Sequence, residues 1–355
     1  MKQYLDLLKQ IKEQGTLKDP ARKNLPKTLS LFGTRLECNM KDGFPLLTTK
    51  KIHFKSIVTE LLWFLKGDTN IKYLVNNSCN IWNQDAYRWY LKTWNQFSDC
   101  FIIKKDDIEE PYTFEEFIEK IKQGEEFNTS IPSNYILGDL GKVYGHQWRN
   151  QNGVDQVQTV VDRINSEPEG RYAILDAWNP ADFSEMALPP CHLLYQFNCR
   201  KLSLSERYEI ANIIHLGKAE FYAVPFDYSG NIKRLEELNI PKYYLDLQLY
   251  QRSCDTFLGV PFNIASGSLL LHIIAKLTNT TPGKFIWIGG DTHIYENHLE
   301  QVDLQLSREP LSLSKLKINK ELKSVKDLEL LRYEDFELID YKYREAIKAE
   351  LKTGL

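Results

Sequence analysis

Cys191 stands in the run PPCH, and Glu60 stands inside the apolar stretch HFKSIVTELLWFLK. Arg252, Ser253, Asp255 and Asn263 share the run YQRSCDTFLGVPFN. A thiol becomes a nucleophile when a cation holds it as thiolate, and Arg252 is the candidate cation for Cys191. A carboxyl in an apolar helix has its charged form disfavoured, so its pKa rises and Glu60 becomes suited to general acid–base work near neutral pH. A cation, a hydroxyl, a carboxylate and an amide around a Leu-Gly-Val-Pro turn suit an anionic, hydrogen-bonding ligand. Each residue also has a plainer reading. A lone Cys is most often a buried structural residue. Glu60 serves equally as a structural hydrogen bonder, Tyr144 as a core aromatic, and an Asn after Pro-Phe as a helix cap. His293 and Tyr295 lie at i and i+2 and point the same way from an extended chain. With no HExxH and no third ligand at useful spacing, they do not read as a metal site.

The elements that must position these residues follow from periodicity. Leu245, Leu247 and Leu249 alternate with Asp246 and Gln248, which predicts a half-buried strand running into Gln251 and Arg252. From Ile264 the run IASGSLLLHIIAKL predicts an apolar helix. Tyr4, Leu5, Leu8 and Ile11 predict a first helix ending at Gly15. TLSLFGTRLEC reads as a strand, and His53 to Lys66 as a core helix carrying Glu60. A carboxylate is rarely buried unless paired or functional, which sets Glu60 apart. Val154 to Ile164 predicts an amphipathic helix. Tyr172 to Trp178 and Leu193 to Cys199 predict strands on either side of the Cys191 loop. Two stretches, about residues 94–136 and 201–241, read as insertions in one core domain spanning 1–355. In the first, Thr113 and Glu116 form a capping box before FEEFIEKIKQG.

Composition excludes several classes. The chain has 355 residues, 43% of them apolar and 26% charged, with a formal net charge of −3. No global basic field steers it to nucleic acid or membrane, so any anion must meet local cations. No apolar run approaches membrane-spanning length, and the amphipathic start is not a signal peptide. Six scattered cysteines without a CxxC read as reduced thiols, and a cytoplasmic location is expected.

The run from Tyr250 to Ser266 resembles the thymidylate synthase family. So do GFPLLTTKK, TELLWFLKGDTNI, GDLGKVYGHQWR, AWNPADFSEMALPPCH, GGDTHIYENH and LSREP, in the family's order along most of the chain. The resemblance implies an α/β (α+β two-layer) fold, a large twisted mixed sheet backed by helices. It implies conversion of deoxyuridylate (dUMP) to thymidylate with 5,10-methylenetetrahydrofolate as co-substrate and no metal. Cys191 matches the cysteine that adds to C6 of uracil, and Tyr144 a residue that assists loss of the C5 proton. Asn263 then reads the O4 and N3–H edge of uracil, where a carboxyl would suit cytosine better. Gln251, Arg252, Ser253, His293 and Tyr295 match the nucleotide site. Lys50, His53, Ile81, Trp82, Asp255, Leu258, Gly259 and Phe262 match the folate site. The resemblance also implies a homodimer, paired back to back through its sheets, in which Arg171 completes the partner's phosphate site.

Phosphate recognition departs from the family pattern. Tyr172 stands where a second arginine is usual, and ARKNLPKT replaces a glycine-rich arginine loop, leaving Lys23 or Arg22 to serve. Gly267 replaces a usual tyrosine, and Asn83, Gln84 and Asp85 replace Asp-Glu-Trp. The C-terminus KAELKTGL lacks a short apolar end. A dUMP hydroxymethylase, in which water traps the exocyclic methylene, is therefore a second reading. A non-catalytic nucleotide- or RNA-binding relative is a third, and the intact set Cys191, Glu60, Tyr144, Arg252 and Asn263 argues against it.

Overall fold

A computed structural model of the chain describes residues 1–20, 25–100, 110–124, 135–214 and 228–350. The helices are α1 (Lys2–Gln14), α2 (Phe54–Leu65), α3 (Lys72–Asn76), α4 (Asn83–Cys100), α5 (Phe114–Gln123), α6 (Tyr144–Asn150), α7 (Gln156–Ser166), α8 (Leu204–Ile214), α9 (Tyr228–Glu237), α10 (Gly259–Leu277) and α11 (Leu299–Leu306). The strands are β1 (Thr16–Lys18), β2 (Thr28–Asn39), β3 (Ile174–Asp176), β4 (His192–Lys201), β5 (Tyr243–Asp255), β6 (Thr281–Tyr295), β7 (Lys315–Ile318) and β8 (Phe336–Ile339). Six strands form one mixed sheet in the order β1-β2-β6-β5-β4-β3, and β7 pairs with β8 apart from it. Only β5 and β6 run parallel, joined by the long crossover helix α10.

Strand alternation gives the sheet two unlike faces. One row across it is Leu36, Trp287, Leu249, Tyr195 and Leu175, and the next is Cys38, Phe285, Leu247 and Phe197. All nine are buried, and α10 packs against β5 and β6. Beyond the Trp287 row the sheet turns polar: Gly289 pairs with Gln251, and Gln251 with His192. That polar end is where the candidate site lies. The opposite face carries Ile288, Tyr250 and Leu194 in one row and Ile286, Gln248 and Gln196 in the next, each at least partly exposed.

Several boundaries differ from the sequence expectation. Helix α10 begins at Gly259, five residues before Ile264, so Leu-Gly-Val-Pro belongs to its first turn rather than to a loop. Proline is tolerated there because first-turn N–H groups have no partner within the helix. Oδ1 of Asp255 accepts from the N–H groups of Phe257 and Leu258, each at 3.1 Å, and so starts the helix early. The longer helix has 19 residues and is apolar enough to cross a membrane by composition. In its most apolar window 78% is buried inside the protein, so it serves as the core helix of the fold. Helix α4 runs through position 94, so the first insertion starts within a continuous helix. The capping box at Thr113 and Glu116 is present. In the second insertion Ala211, Leu235 and Ile240 form a small core of their own. Strand β3 has three residues where seven were expected.

Candidate active site

Cys191 immediately precedes β4, and three sets of hydrogen bonds hold its loop. The hydroxyl of Tyr144, the first residue of α6, accepts from the N–H of Cys191 at 2.7 Å and of His192 at 3.3 Å. The N–H of Arg252 donates to the carbonyl of Cys191 at 2.9 Å. The guanidinium of Arg252 donates through Nε to the Pro190 carbonyl at 2.7 Å and through Nη2 to that of Pro189 at 2.9 Å. The Arg252 charge pulls the Cys191 pKa down, but burial pushes it up more strongly, and Asp85 adds a smaller upward push. The net direction is upward. Two of the Arg252 donors are engaged by the proline carbonyls, and its charge still acts on the thiol to favour the ionised form, against the larger effect of desolvation.

Glu60 is buried in α2, 7% exposed. Its pKa is pushed up to about 7 by burial, against a smaller lowering by Trp82. The Trp82 indole nitrogen donates to Oε1 of Glu60 at 2.8 Å. The Trp82 ring lies 6.0 Å from that of Tyr144, and Phe64 lies 4.8 Å from Tyr144. The carboxyl and the thiol loop therefore lean on one aromatic wall.

Asn263 lies in the second turn of α10 and accepts at Oδ1 from Nε2 of Gln251 at 3.0 Å. Its side chain is also hydrogen-bonded to His192, whose pKa burial lowers to about 4. A Cβ on Gly259 would sit in ordinary van der Waals contact with Oδ1 of Asn263, at 3.6 Å, so this turn lies directly against the amide. Lys50 is 5% exposed, donates to the Phe257 carbonyl at 2.5 Å and lies 3.6 Å from the Phe257 ring centre. Burial lowers its pKa to about 7, against an opposing pull from Asp255. Leu258 and Phe262 are half-buried beside this cluster, and Ile81 is exposed. His53 precedes α2, with Nδ1 2.7 Å from the Ser56 hydroxyl.

His293 pairs across the sheet with Asp255, and its ring is 5.2 Å from that of Tyr295. The structure thus gathers Cys191, His192, Tyr144, Gln251, Arg252, Asn263, Asp255 and His293 at one end of β4, β5 and β6. Arg171 and Tyr172 are exposed in the turn before β3, the edge strand, away from that gathering. Lys23 and Arg22 lie outside the described residues, as do the last five residues of the chain. Gly267 has a local cause: a Cβ there would come 2.4 Å from a Phe285 ring carbon, so Phe285 fills that space.

Two residues that sequence reasoning passed over, Asp291 and Trp287, belong to the site's support, and Asp85, noted only as a departure from the family pattern, gains a role. Asp291 accepts from Lys18 and Ser30, each at 2.7 Å, and contacts Nδ1 of His293 at 3.1 Å. Its spacing of two from His293 in a strand was a usable signal. Asp85, ion-paired with Arg88 in α4, pushes on the Cys191 thiol. Trp287 reaches Gln251 only through the tertiary fold, and no local pattern announces it. Among the described residues, no three His, Cys, Asp or Glu side chains converge as a metal-binding group.

A mixed sheet with a helix-backed face, ending in a cysteine loop, a protonatable carboxyl and an oriented amide, defines an α/β protein with a cysteine-centred polar site. The thymidylate synthase family model matches residues 2–353. The thymidylate synthase of Mycoplasma mobile is 45% identical over 351 residues, covering 99% of both chains. Those of Mycoplasma pneumoniae and Aster yellows witches'-broom phytoplasma are each 41% identical over 351 residues, again covering 99% of both chains. The chain belongs to the thymidylate synthase family.

Proposed function

We propose that the protein catalyses the reductive methylation of dUMP to thymidylate with 5,10-methylenetetrahydrofolate, yielding dihydrofolate. One observation carries the assignment within the family: Cys191, Tyr144, Glu60 and Asn263 meet at one end of the sheet with mutually compatible bonding. The Cys191 sulfur adds to C6 of the uracil ring, which makes C5 nucleophilic. Proximity of Arg252 favours the thiolate at that step. Glu60, with a pKa near 7, can hold or release a proton on the carbonyl side of the ring. Tyr144 assists removal of the C5 proton while it keeps the Cys191 loop in register. Asn263 reads O4 and N3–H, and His293 and Tyr295 take the deoxyribose hydroxyl. Arg252 and Ser253 take the phosphate, and Lys23 is the further cation that the sequence offers for it.

The residues present fit a folate. Leu258 and Phe262 offer apolar surface, Ile81 adds an exposed edge, and the buried Trp82 stands next to Ile81 in the chain. Among the described hydrogen bonds Asp255 uses only Oδ1, which leaves its second oxygen for pterin N–H groups. Lys50, its pKa lowered to about 7 by burial, places an amine beside that carboxylate. When bound, the folate supplies the one-carbon unit and then a hydride. The hydroxymethylase reading is not favoured, because the relatives at 41–45% identity along 99% of the chain are thymidylate synthases.

The working unit in this reading is a single-domain, cytoplasmic chain acting as a homodimer. Its partly exposed sheet face, with Ile286, Ile288, Tyr250 and Leu194, supports back-to-back pairing. Arg171, remote from its own chain's Cys191, then completes the partner's phosphate site, beside Tyr172. Incubation with dUMP and methylenetetrahydrofolate tests the chemistry. Thymidylate and dihydrofolate, both lost in Cys191→Ala, are the expected products. Hydroxymethyl-deoxyuridylate with tetrahydrofolate would reject the proposal.

A further inference from the structure

Trp287 is fully buried in β6, in the last apolar row before the polar end of the sheet. Its indole nitrogen donates to Oε1 of Gln251 at 2.9 Å. An indole N–H is a donor only, so this bond decides which end of the Gln251 amide faces it. The other end, Nε2, donates to the Ser253 carbonyl and to Oδ1 of Asn263, each at 3.0 Å. A carbonyl only accepts, so both ends of Gln251 meet groups of a single polarity. Asn263 in turn presents its oxygen, and not its nitrogen, to Gln251. Gly289, which pairs with Gln251 across β5 and β6, makes room for this: a Cβ there would lie 2.4 Å from the Trp287 indole.

The orientation of a primary amide has chemical content. With its oxygen toward a ring N–H and its nitrogen toward a ring carbonyl, it matches uracil. Reversed, its oxygen accepts from an exocyclic amine and its nitrogen donates to a ring nitrogen, which matches cytosine. Nothing intrinsic to asparagine chooses between the two. Gln251, oriented by the Trp287 indole at one end and the Ser253 carbonyl at the other, makes the choice, because a reversed Asn263 would set two N–H donors against each other in a partly buried site.

We propose that Trp287 is a specificity-determining positioning residue: through Gln251 it locks the Asn263 amide in the orientation that pairs with uracil and rejects cytosine. The inference rests on the dUMP reading above and assigns the discrimination to a residue that does not touch the base.

The test compares dissociation constants for dUMP and deoxycytidylate (dCMP) in the full-length protein. In Trp287→Phe the ring remains but the donor is gone. The dCMP-to-dUMP ratio of dissociation constants should fall by roughly tenfold or more, since polar discrimination fails once the site's own groups can reorient. A merely structural loss would weaken both nucleotides by the same factor and leave the ratio unchanged. Gln251→Glu provides the second arm: a carboxylate only accepts, so Asn263 should turn its nitrogen toward it, and preference should move to dCMP. If Trp287→Phe does not fold, Gln251→Glu decides alone. An unchanged ratio in every folded variant, with dUMP still bound by the unaltered protein, overturns this inference and leaves the function standing. Failure of the unaltered protein to bind dUMP overturns both.

Discussion

The indole of Trp82 and the carboxyl of Glu60 share a 2.8 Å hydrogen bond inside an apolar wall, and Tyr144 packs against the same indole. Tyr144 in turn carries the N–H of Cys191. The Glu60 carboxyl and the Cys191 loop are thus held by one set of rings. A shift in either is felt by the other through contacts that tolerate little displacement.

Glu60→Gln should lower turnover by roughly a hundredfold or more, the usual worth of a positioned acid–base group. It should also remove a slope from the stability profile. The carboxyl titrates at its ordinary 4.5 when unfolded and at about 7 when folded. Between those values the folded state binds more protons, so stability falls as pH rises through that window and levels off above it. Urea midpoints measured from pH 4.5 to 8 should decline less steeply in Glu60→Gln than in the unaltered protein. Parallel curves would show that Glu60 is not the group responsible.

Arg252 and Asp85 act on Cys191 with opposite signs. Arg252→Gln should move the pH midpoint of Cys191 alkylation by iodoacetamide upward. Asp85→Asn should move it downward and speed the reaction at neutral pH. Cys191→Ala provides the background rate. Shifts in the same direction would contradict the assignment of these two charges.

Asp291 gathers Lys18 from β1, Ser30 from β2 and its own neighbour His293, and these partners hold its pKa well below the usual carboxylate range. With Nδ1 of His293 bonded to this carboxylate, Nε2 is left to accept a hydrogen bond. Asp291→Asn should raise the KM for dUMP by about tenfold, one hydrogen bond's worth, with a smaller effect on kcat. Cys191 alkylation should not change. An equal loss in alkylation would point to a general disturbance of the sheet.

Much of the site was legible residue by residue. Glu60 announced itself as a carboxyl in an apolar helix, and its burial and raised pKa follow from that local context. The strand before Arg252, the first helix and the Thr113 capping box were equally readable, since period and capping are encoded within a few residues. The early start of α10 was not, because Leu-Gly-Val-Pro reads as a turn, and the Asp255 carboxylate that gathers the N–H groups of Phe257 and Leu258 just ahead of the helix is seen only in the fold. The surroundings of the thiol were not legible either: sequence names Arg252 as a cation but not its burial or the two carbonyls it bonds.

By itself, the sequence determined the element types, the amphipathic faces and the chemical kinds of side chain available to a site. Only the tertiary structure decided their partners. Trp287 meets Gln251 because β5 and β6 pair in parallel in one register, Asp291 meets Lys18 because β2 sets β1 two strands from β6, and Arg252 meets Pro189 and Pro190 because β4 pairs with β5. That register is chosen by burying two apolar rows at once, a property of the packed sheet and of no single stretch of chain.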